Sequence, residues 1–434
     1  MADVSLEGRF RDDRWTAGVI GLGYVGLPLA VTAADAGLDV VGFDVSAERV
    51  STLAQGRSHV EDVSDQELQA ALDAGARFTT DELELERADA IFVAVPSPLG
   101  RNRQPDMSFI EAAAKTVHRV LRPGQLVSLE STTYPGTTED HFLPIVHQRG
   151  LRIDEDVFIS FSPERVDPGN VLHTADIPKV VGGVTARSGQ VAAAAYGRLV
   201  AKVHLVSSAR AAELTKLLEN TYRAVNIAMV NELAQVAHAF DIDIWEVIEA
   251  AATKPFGYQP FYPGPGVGGH CIPLDPQFLA WRAREYRVPT RFIDLAEDVN
   301  IHMPDYVTAR IIDTLNERGL PLAGTKVLGV GVAYKANVAD ERESPSLDVL
   351  DRLARRQAHV GVMDPHVLPE RLARLGYDVV GGEMGDAGGW QLAVVLTDHA
   401  QVDYAELADR VELVFDTRGV YRRLGIERPN VVAL

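Results

Sequence analysis

Trp15-Thr16-Ala17-Gly18-Val19-Ile20-Gly21-Leu22-Gly23-Tyr24-Val25-Gly26 is the stretch whose reading decides the fold. Trp15 to Ile20 is an apolar run that predicts a buried strand. Leu27 to Ala36 reads as a helix stopped by Gly37, and Leu38 to Phe43 as a second strand closing on Asp44. Three glycines in G-x-G-x-x-G spacing between a strand and a helix are the fingerprint of a dinucleotide-binding turn. Gly21 makes the turn, Gly23 lets a pyrophosphate approach, Gly26 lets helix and strand pack, and Tyr24 and Val25 complete the loop. An acid about 20 residues past the motif bonds a ribose 2′-hydroxyl and repels a 2′-phosphate, so Asp44 points to NAD rather than NADP. Arg49 has two readings: it lies along the adenine, or it is a solvated helix residue.

Further apolar runs extend the sheet. Ala90–Val95 stops at Pro96, Gln125–Glu130 at Ser131-Thr132, and Val157–Phe161 at Ser162-Pro163-Glu164-Arg165. Ligands of open α/β sheets sit beyond the carboxyl ends of strands, which places Pro96, Ser131, Thr132 and Glu164 along one crevice edge. Ser131 and Thr132 also have a plain reading as caps of the next helix. Pro178–Gly183 and Ala201–Val206, around a helical segment at Ser188–Leu199, complete this domain. Residues 1–14 read as a loose tail.

Ala209 to Phe240 is uninterrupted by Gly or Pro and reads as one long helix, with Leu214, Leu217, Leu218, Val225, Met229 and Leu233 near the 3.6 period. Lys216, Asn220 and Arg223, at i, i+4 and i+7, share a face; a solvated stripe is the ordinary meaning of such residues. A helix of this length also offers a surface for a homodimer. Past it lies Tyr262-Pro263-Gly264-Pro265-Gly266-Val267-Gly268-Gly269-His270-Cys271, holding the only cysteine in 434 residues. Asp275 and Pro276 then open an amphipathic run, so Cys271 sits in a glycine loop just before a helix N-terminus, where a thiolate is favoured. Covalent catalysis is one reading; an inert buried thiol, with Asp275 capping the helix, is the other.

After Pro304 a helix is expected at Asp305–Arg318. Lys326–Lys335 then begins a second strand–turn unit whose turn carries Tyr334-Lys335 where a third glycine would stand, followed by Asp340-Glu341-Arg342-Glu343-Ser344-Pro345. The reading is a substrate-holding domain rather than a second NAD site. The fold class is therefore α/β, with two Rossmann-like domains joined by a long central helix within a helical middle domain: residues 14–206, 207–304 and 305–434. A net charge of −19 argues against a nucleic-acid or anionic-membrane surface. No apolar run approaches a membrane span and no leader-like h-region opens the chain, which with the single thiol suggests a soluble protein of the cytoplasm. Cys271 and His270 supply too few ligands for a zinc site, so no metal is expected.

Taken together, the tracts Gly21–Gly26 with Asp44, Ser131-Thr132, Ser162-Pro163-Glu164, Glu213-Leu214-Thr215-Lys216 with Asn220, Gly268–Asp275, and Lys335 with Asp340–Ser344 resemble the UDP-sugar 6-dehydrogenase family over about residues 14–425. Thr253–Tyr258, Phe261–Cys271 and Pro163–Asn170 are most similar to the UDP-N-acetylglucosamine branch. The UDP-glucose branch carries a second Glu where this chain has Pro168, so that acid's role has no carrier here. The resemblance implies a four-electron oxidation of C6 to a carboxylate, using two NAD and a Cys271 thiohemiacetal and thioester. Lys216 and Asn220 would stabilise the C6 alkoxide, with Asp275 holding or activating water, Glu164 the hydrolytic base and Thr132 positioning water. Pro96, Ser131, Thr132 and Arg342 would meet the cofactor. Glu164, Arg165, Lys216, Asn220, Arg223, Tyr262, Gly268 and Lys335 would meet the UDP-sugar. UDP-glucose and UDP-N-acetylmannosamine are the alternative substrates, and an NAD-binding redox sensor with Cys271 as its switch is the alternative outside enzymes.

Overall fold

The computed structural model describes residues 6–12, 14–60, 62–100, 103–165, 174–381 and 389–434. Among these residues two sheets form, one of eight strands and one of six. The first contains β1 (Thr16–Ile20), β2 (Asp39–Phe43), β3 (Arg77–Thr79), β4 (Ala90–Val93), β5 (Gln125–Leu129), β6 (Val157–Phe161), β7 (Lys179–Gly183) and β8 (Val203–Val206), in the order β3-β2-β1-β4-β5-β6-β7-β8. Every pairing is parallel except β6 with β7. The second contains β9 (Lys326–Val330), β10 (His359–Met363), β11 (Asp378–Val379), β12 (Leu392–Val395), β13 (Leu413–Asp416) and β14 (Val431–Ala433), all parallel, in the order β11-β10-β9-β12-β13-β14. Both begin with the 3-2-1-4 arrangement of a dinucleotide fold.

Alternation builds two cores per sheet. In the first, Ala17, Val19, Ala90, Phe92 and Leu126 enter one cluster, and Ile20, Ile91, Val93, Val127 and Leu129 the other. The second sheet divides Val327, Leu392 and Val394 from Leu328, Ala393 and Val395 in the same way. Strands covered on both faces must be apolar at nearly every position, which is why these runs do not alternate with polar residues.

The chain divides into two compact units, residues 1–219 with 277–288, and residues 220–276 with 289–434. Two sequence expectations are corrected. The segment read as a loose tail holds a helix at Leu6–Asp12, whose Phe10 is buried against Trp15 at 5.3 Å and accepts, through its carbonyl, the indole N–H at 3.1 Å. Burial of one such ring contributes about 2–3 kcal/mol, enough to pin a short helix. Pro304 does not start a helix but lies inside one, Arg291–Asn316. Met303, Val307, Ile311 and Leu315 are buried in the core of the second sheet, and this packing offsets the ~3 kcal/mol that an interior proline costs. The long helix is present as Ala209–Ala239, but of its apolar series only Leu217 is fully buried; Leu214, Leu218, Met229 and Leu233 are 43%, 63%, 50% and 46% exposed. Among the described residues no helix is long and apolar enough to cross a membrane.

The first turn explains its glycines. Gly21 has φ of 90°, and a Cβ there would fall on the Ala94 carbonyl. A Cβ on Gly26 would fall on the Gly21 carbonyl oxygen, whereas one on Gly23 would meet nothing within 4 Å. Gly26→Ala is therefore expected to destabilise the first unit by at least about 1–3 kcal/mol, seen as a lowered melting temperature. Gly23→Ala should melt like the parent yet bind NAD more weakly in a titration, because only an approaching ligand needs the space at that position. Equal melting temperatures for the two variants would contradict this division of roles.

Candidate functional site

In the first unit the glycine turn is held by a carboxylate. Asp44, 3% exposed, accepts the N–H of Leu22 and of Ser46, each at 2.9 Å, and pairs with the Arg49 guanidinium at 2.7 Å. Burial works against its charge, but those two amides and Arg49 outweigh it and hold the carboxyl below its usual range. Arg49 is thus the counter-ion of Asp44, not a solvated helix residue. The helix Gly26–Asp35 begins at Val25 with no side-chain cap, and Tyr24 is 54% exposed beside it. An uncapped N-terminus, open space at Gly23 and a buried carboxylate at the end of β2 fit the pyrophosphate and ribose of NAD.

Pro96, Ser131, Thr132 and Glu164 follow the carboxyl ends of β4, β5 and β6. Pro96 is exposed after β4. The Ser131 hydroxyl accepts the Val95 N–H at 2.9 Å and donates to the Val95 carbonyl at 2.7 Å, tying the ends of β4 and β5 together. Neither Ser131 nor Thr132 caps the following helix, Thr137–Gln148. Its N-cap is Gly136 at φ of 105°, and the buried Glu213 accepts the N–H of Gly136 at 2.5 Å and of Thr138 at 2.9 Å. This carboxylate anchors the start of the long helix one turn before Lys216, which is 8% exposed. Burial pushes the Glu213 carboxyl upward, against the amides that lower it.

Glu164 does not stand alone. Its carboxylate meets the Lys179 ammonium at 2.8 Å, and the same ammonium meets Glu130 at 2.7 Å. Tyr196 donates its hydroxyl to Glu130 at 2.6 Å. Burial disfavours charge on Lys179, but its two carboxylates overcome that and keep it protonated; burial pushes Glu130 and Tyr196 upward. Sequence reading missed Lys179, Glu130 and Tyr196 as a group, although a lysine opening an otherwise apolar, buried run was a signal. Arg165 is engaged by Glu219 at 2.7 Å and by the Pro178 carbonyl at 2.8 Å. The tract Val166–Asn170, including Pro168, lies outside the described residues.

In the second unit, Cys271 is exposed, and its carbonyl accepts the Asp275 N–H at 2.9 Å, closing a turn immediately before the helix Asp275–Glu285. Asp275 is buried and accepts a hydrogen bond from the Asn220 amide at 2.5 Å. Arg223, one turn further on, is half-buried. The glycine loop packs on the C-terminal sheet's first turn. A Cβ on Gly269, which has φ of 81°, would lie 2.7 Å from the Tyr334 ring, and one on Gly268 would lie 2.7 Å from both the Glu343 carbonyl and Pro345. Asn231, fully buried on the long helix, accepts the Gly264 N–H at 3.1 Å and donates to Asn300 at 3.0 Å. Tyr262 stacks on Trp245 at 6.0 Å. The Cys271 loop and the Lys335–Ser344 tract, far apart in sequence, are thereby neighbours.

The C-terminal turn repeats the first one with a difference. Asp364, at the end of β10, accepts the N–H groups of Val332 and Ala333 at 2.8 and 3.0 Å, and His399 donates to it at 3.0 Å. By strand register Gly331 takes the place of Gly21, so Tyr334 takes that of Tyr24 and Ala336 that of the third glycine, a correction to the sequence spacing; the Tyr334 side chain lies against Gly268 and Gly269 of the glycine loop. Lys335 is half-buried beside it, and Arg342 forms a two-point pair with Asp340 at 2.8 and 2.7 Å.

Residues 16–200 match the NAD-binding domain of the UDP-glucose/GDP-mannose dehydrogenase family, residues 210–302 its central domain and residues 328–423 its UDP-binding domain. The chain is 37% identical over 422 residues to the NDP-N-acetyl-D-galactosaminuronic acid dehydrogenase of Ralstonia nicotianae, covering 94% of this chain and 96% of that protein. It is 37% identical over 355 residues to the UDP-N-acetyl-D-glucosamine 6-dehydrogenase of Pseudomonas aeruginosa, covering 81% and 83%. Among solved structures, the UDP-D-ManNAc dehydrogenase from Pyrococcus horikoshii superposes with a TM-score of 0.85 at 30% identity, over 96% of this chain and 98% of that one. Domain for domain, the chain belongs to the UDP-glucose/GDP-mannose dehydrogenase family and is an NAD-dependent oxidoreductase of nucleotide sugars.

Proposed function

We propose that the chain oxidises C6 of UDP-N-acetylglucosamine to the carboxylate, with Cys271 carrying the half-oxidised sugar. The observation that supports this most is the exposed Cys271 at the head of a helix whose first residue, the buried Asp275, is bonded to Asn220. NAD, when bound, supplies the hydride acceptor for both oxidations. Lys216 stabilises the C6 alkoxide electrostatically, and the second N–H of the Asn220 amide, not used by Asp275, is available to the same oxygen. Cys271 Sγ bonds to C6 of the aldehyde, and loss of a hydride from that adduct leaves a thioester. Water then adds to the carbonyl carbon, Glu164 takes its proton, and the C–S bond breaks to return the thiolate. In sum, one alcohol and one water give a carboxylate, two hydrides and three protons. Thr132 positions that water, and Asp275 holds or activates a water, serving as base with Lys216.

Gly268 and Tyr262 on the loop, Arg165 and Arg223, and Lys335 and Arg342 in the C-terminal tract are the contacts we assign to the UDP-sugar and cofactor. A guanidinium suits phosphate oxygens, and Arg342 would exchange Asp340 for them. Preference for the N-acetylglucosamine sugar rests on Thr253–Tyr258 and Phe261–Cys271. The relatives' names differ in the sugar, so the C2 and C4 configurations are the variable to test. A cytoplasmic setting suits a mechanism that needs a reduced thiol.

The long helix is also proposed to pair with a second copy of the chain. Leu214, Leu218, Tyr222, Met229, Leu233, Val236 and Phe240 are each 42–69% exposed and fall within one stripe about 100° wide when laid on 3.6 residues per turn. A 31-residue helix offers a stripe about 45 Å long, enough for a stable two-fold interface.

NADH released per sugar consumed, measured with UDP-N-acetylglucosamine, its manno and galacto relatives and UDP-glucose, should equal two with the preferred sugar. A value of one would replace the thioester route by a simple alcohol oxidation, and none would leave an NAD-binding sensor. Lys216→Ala should lower kcat about 10²–10³-fold. Cys271→Ser should bind both ligands but fail to complete turnover. Leu218→Glu with Leu233→Glu should convert a dimer to a monomer by light scattering; a parent that is already monomeric at working concentration removes the pairing proposal.

A further inference from the structure

We propose that Lys179 is a positioning residue for the hydrolytic half of the reaction: its ammonium bridges Glu164 and Glu130 and fixes the Glu164 carboxylate, ionised, at the carboxyl edge of the sheet. This rests on Glu164 being the base assigned above. The geometry comes from the reversal of direction at β7, which β8 follows. β7 runs against β6 with Ser160 opposite Gly183 and Phe161 opposite Gly182, so the same register continued sets Lys179 opposite Glu164. A residue that opens a strand is thereby delivered to the edge where the other strands end.

The Lys179 side chain is almost wholly buried, at 3% exposure, and its ammonium lies 2.8 Å from Glu164 and 2.7 Å from Glu130. Among the described residues the following groups face it. Tyr196, from the helix Ala186–Tyr196, binds Glu130 at 2.6 Å and Ser128 at 2.9 Å. The second oxygen of Glu164 accepts the Arg165 N–H at 2.7 Å, and the Arg165 side chain is turned to Glu219. Two carboxylates thus share one cation. Without it they would face each other as like charges, and Glu164 would hold a proton at a pH where it must receive one from the attacking water. In that step the water oxygen bonds to the thioester carbon, one proton passes to Glu164, the C–S electron pair returns to Cys271, and the new carboxylic acid loses the second proton to solvent.

The test follows the decay of the sugar adduct on Cys271 by quenched mass spectrometry, as a function of pH, in the full chain. Lys179→Met should move the acid limb of the decay rate upward by about one pH unit or more, and Lys179→Arg, which keeps the charge, should restore it. Glu130→Gln leaves Lys179 to Glu164 alone and should move the limb downward; this variant decides the matter if Lys179→Met does not fold. A role confined to stability would lower melting temperatures without moving the limb, and an unmoved limb in Glu130→Gln and in any folded Lys179 variant overturns the proposal. Glu164→Gln separates the two readings. Normal adduct decay there removes Glu164 as base; slowed decay there with unmoved limbs in the other variants removes only the role of Lys179.

Discussion

Backbone amides at the carboxyl edge of a parallel sheet have no further strand to pair with, and in this protein buried carboxylates take them up. Asp44 accepts Leu22 and Ser46, Asp364 accepts Val332 and Ala333, and Glu213 accepts Gly136 and Thr138. Asp416 does the same for Arg418 and Tyr421 after β13. An unsatisfied buried N–H costs about 1–3 kcal/mol, so each carboxylate stabilises a turn that could not otherwise stay folded. The placement of ligand-facing residues follows. Gly23 and Tyr24 present themselves because Asp44 holds Leu22, and Lys216 is fixed because Glu213, one turn earlier, is locked to another helix.

The two sheets use the same device for different ends. In the first turn, Gly26 lets the helix approach and the space at Gly23 stays open to a ligand. In the second, Ala333 and Tyr334 stand where the first has Gly23 and Tyr24, and the Tyr334 side chain lies against Gly268 and Gly269. That contact ties the Cys271 loop to the turn that leads into Lys335 and Arg342. Duplication of a fold has here separated a cofactor turn from a scaffold for the thiol loop. Fold alone would not distinguish them; the residues on the turn do, Gly23 and Gly26 in the first standing where the second has Ala333 and Ala336.

Local signals carried most of this into the sequence. The glycine spacing, the apolar runs and the acid at Asp44 report backbone geometry that depends on near neighbours, and so they were legible. The Cys271 loop was legible for the same reason, since a helix start after a glycine-rich stretch is a local event. What escaped depends on partners distant in sequence. The helix at Leu6–Asp12 is held by Trp15 and by Asp89, which pairs with Arg9 at 2.8 Å. Pro304 is tolerated because residues of the second sheet bury its neighbours. The apolar series on the long helix has the right period for a core face, but periodicity gives a stripe without saying which side is covered. Lys179 was unreadable in its role because its meaning depends on strand direction, and the antiparallel step from β6 to β7 has no local mark.

That buried triad also bears on why polar groups persist in an otherwise apolar sheet. Desolvating an ammonium and two carboxylates costs several kcal/mol per ion, and the attraction among them repays this only in part. An apolar set of similar volume would be expected to hold β5, β6 and β7 together as well or better. Nor does the triad complete the hydrogen bonding of the strands, since its contacts are side chain to side chain. Stability is therefore a poor account of Lys179, Glu130 and Tyr196. Control of a charge at the one point where their network reaches the crevice, the 13%-exposed side chain of Glu164, accounts for the cost better. In the role proposed for Glu164, a carboxylate that accepts a proton in one step and releases it before the next needs a defined charge and a fixed direction, and a buried cation shared with a second carboxylate supplies both.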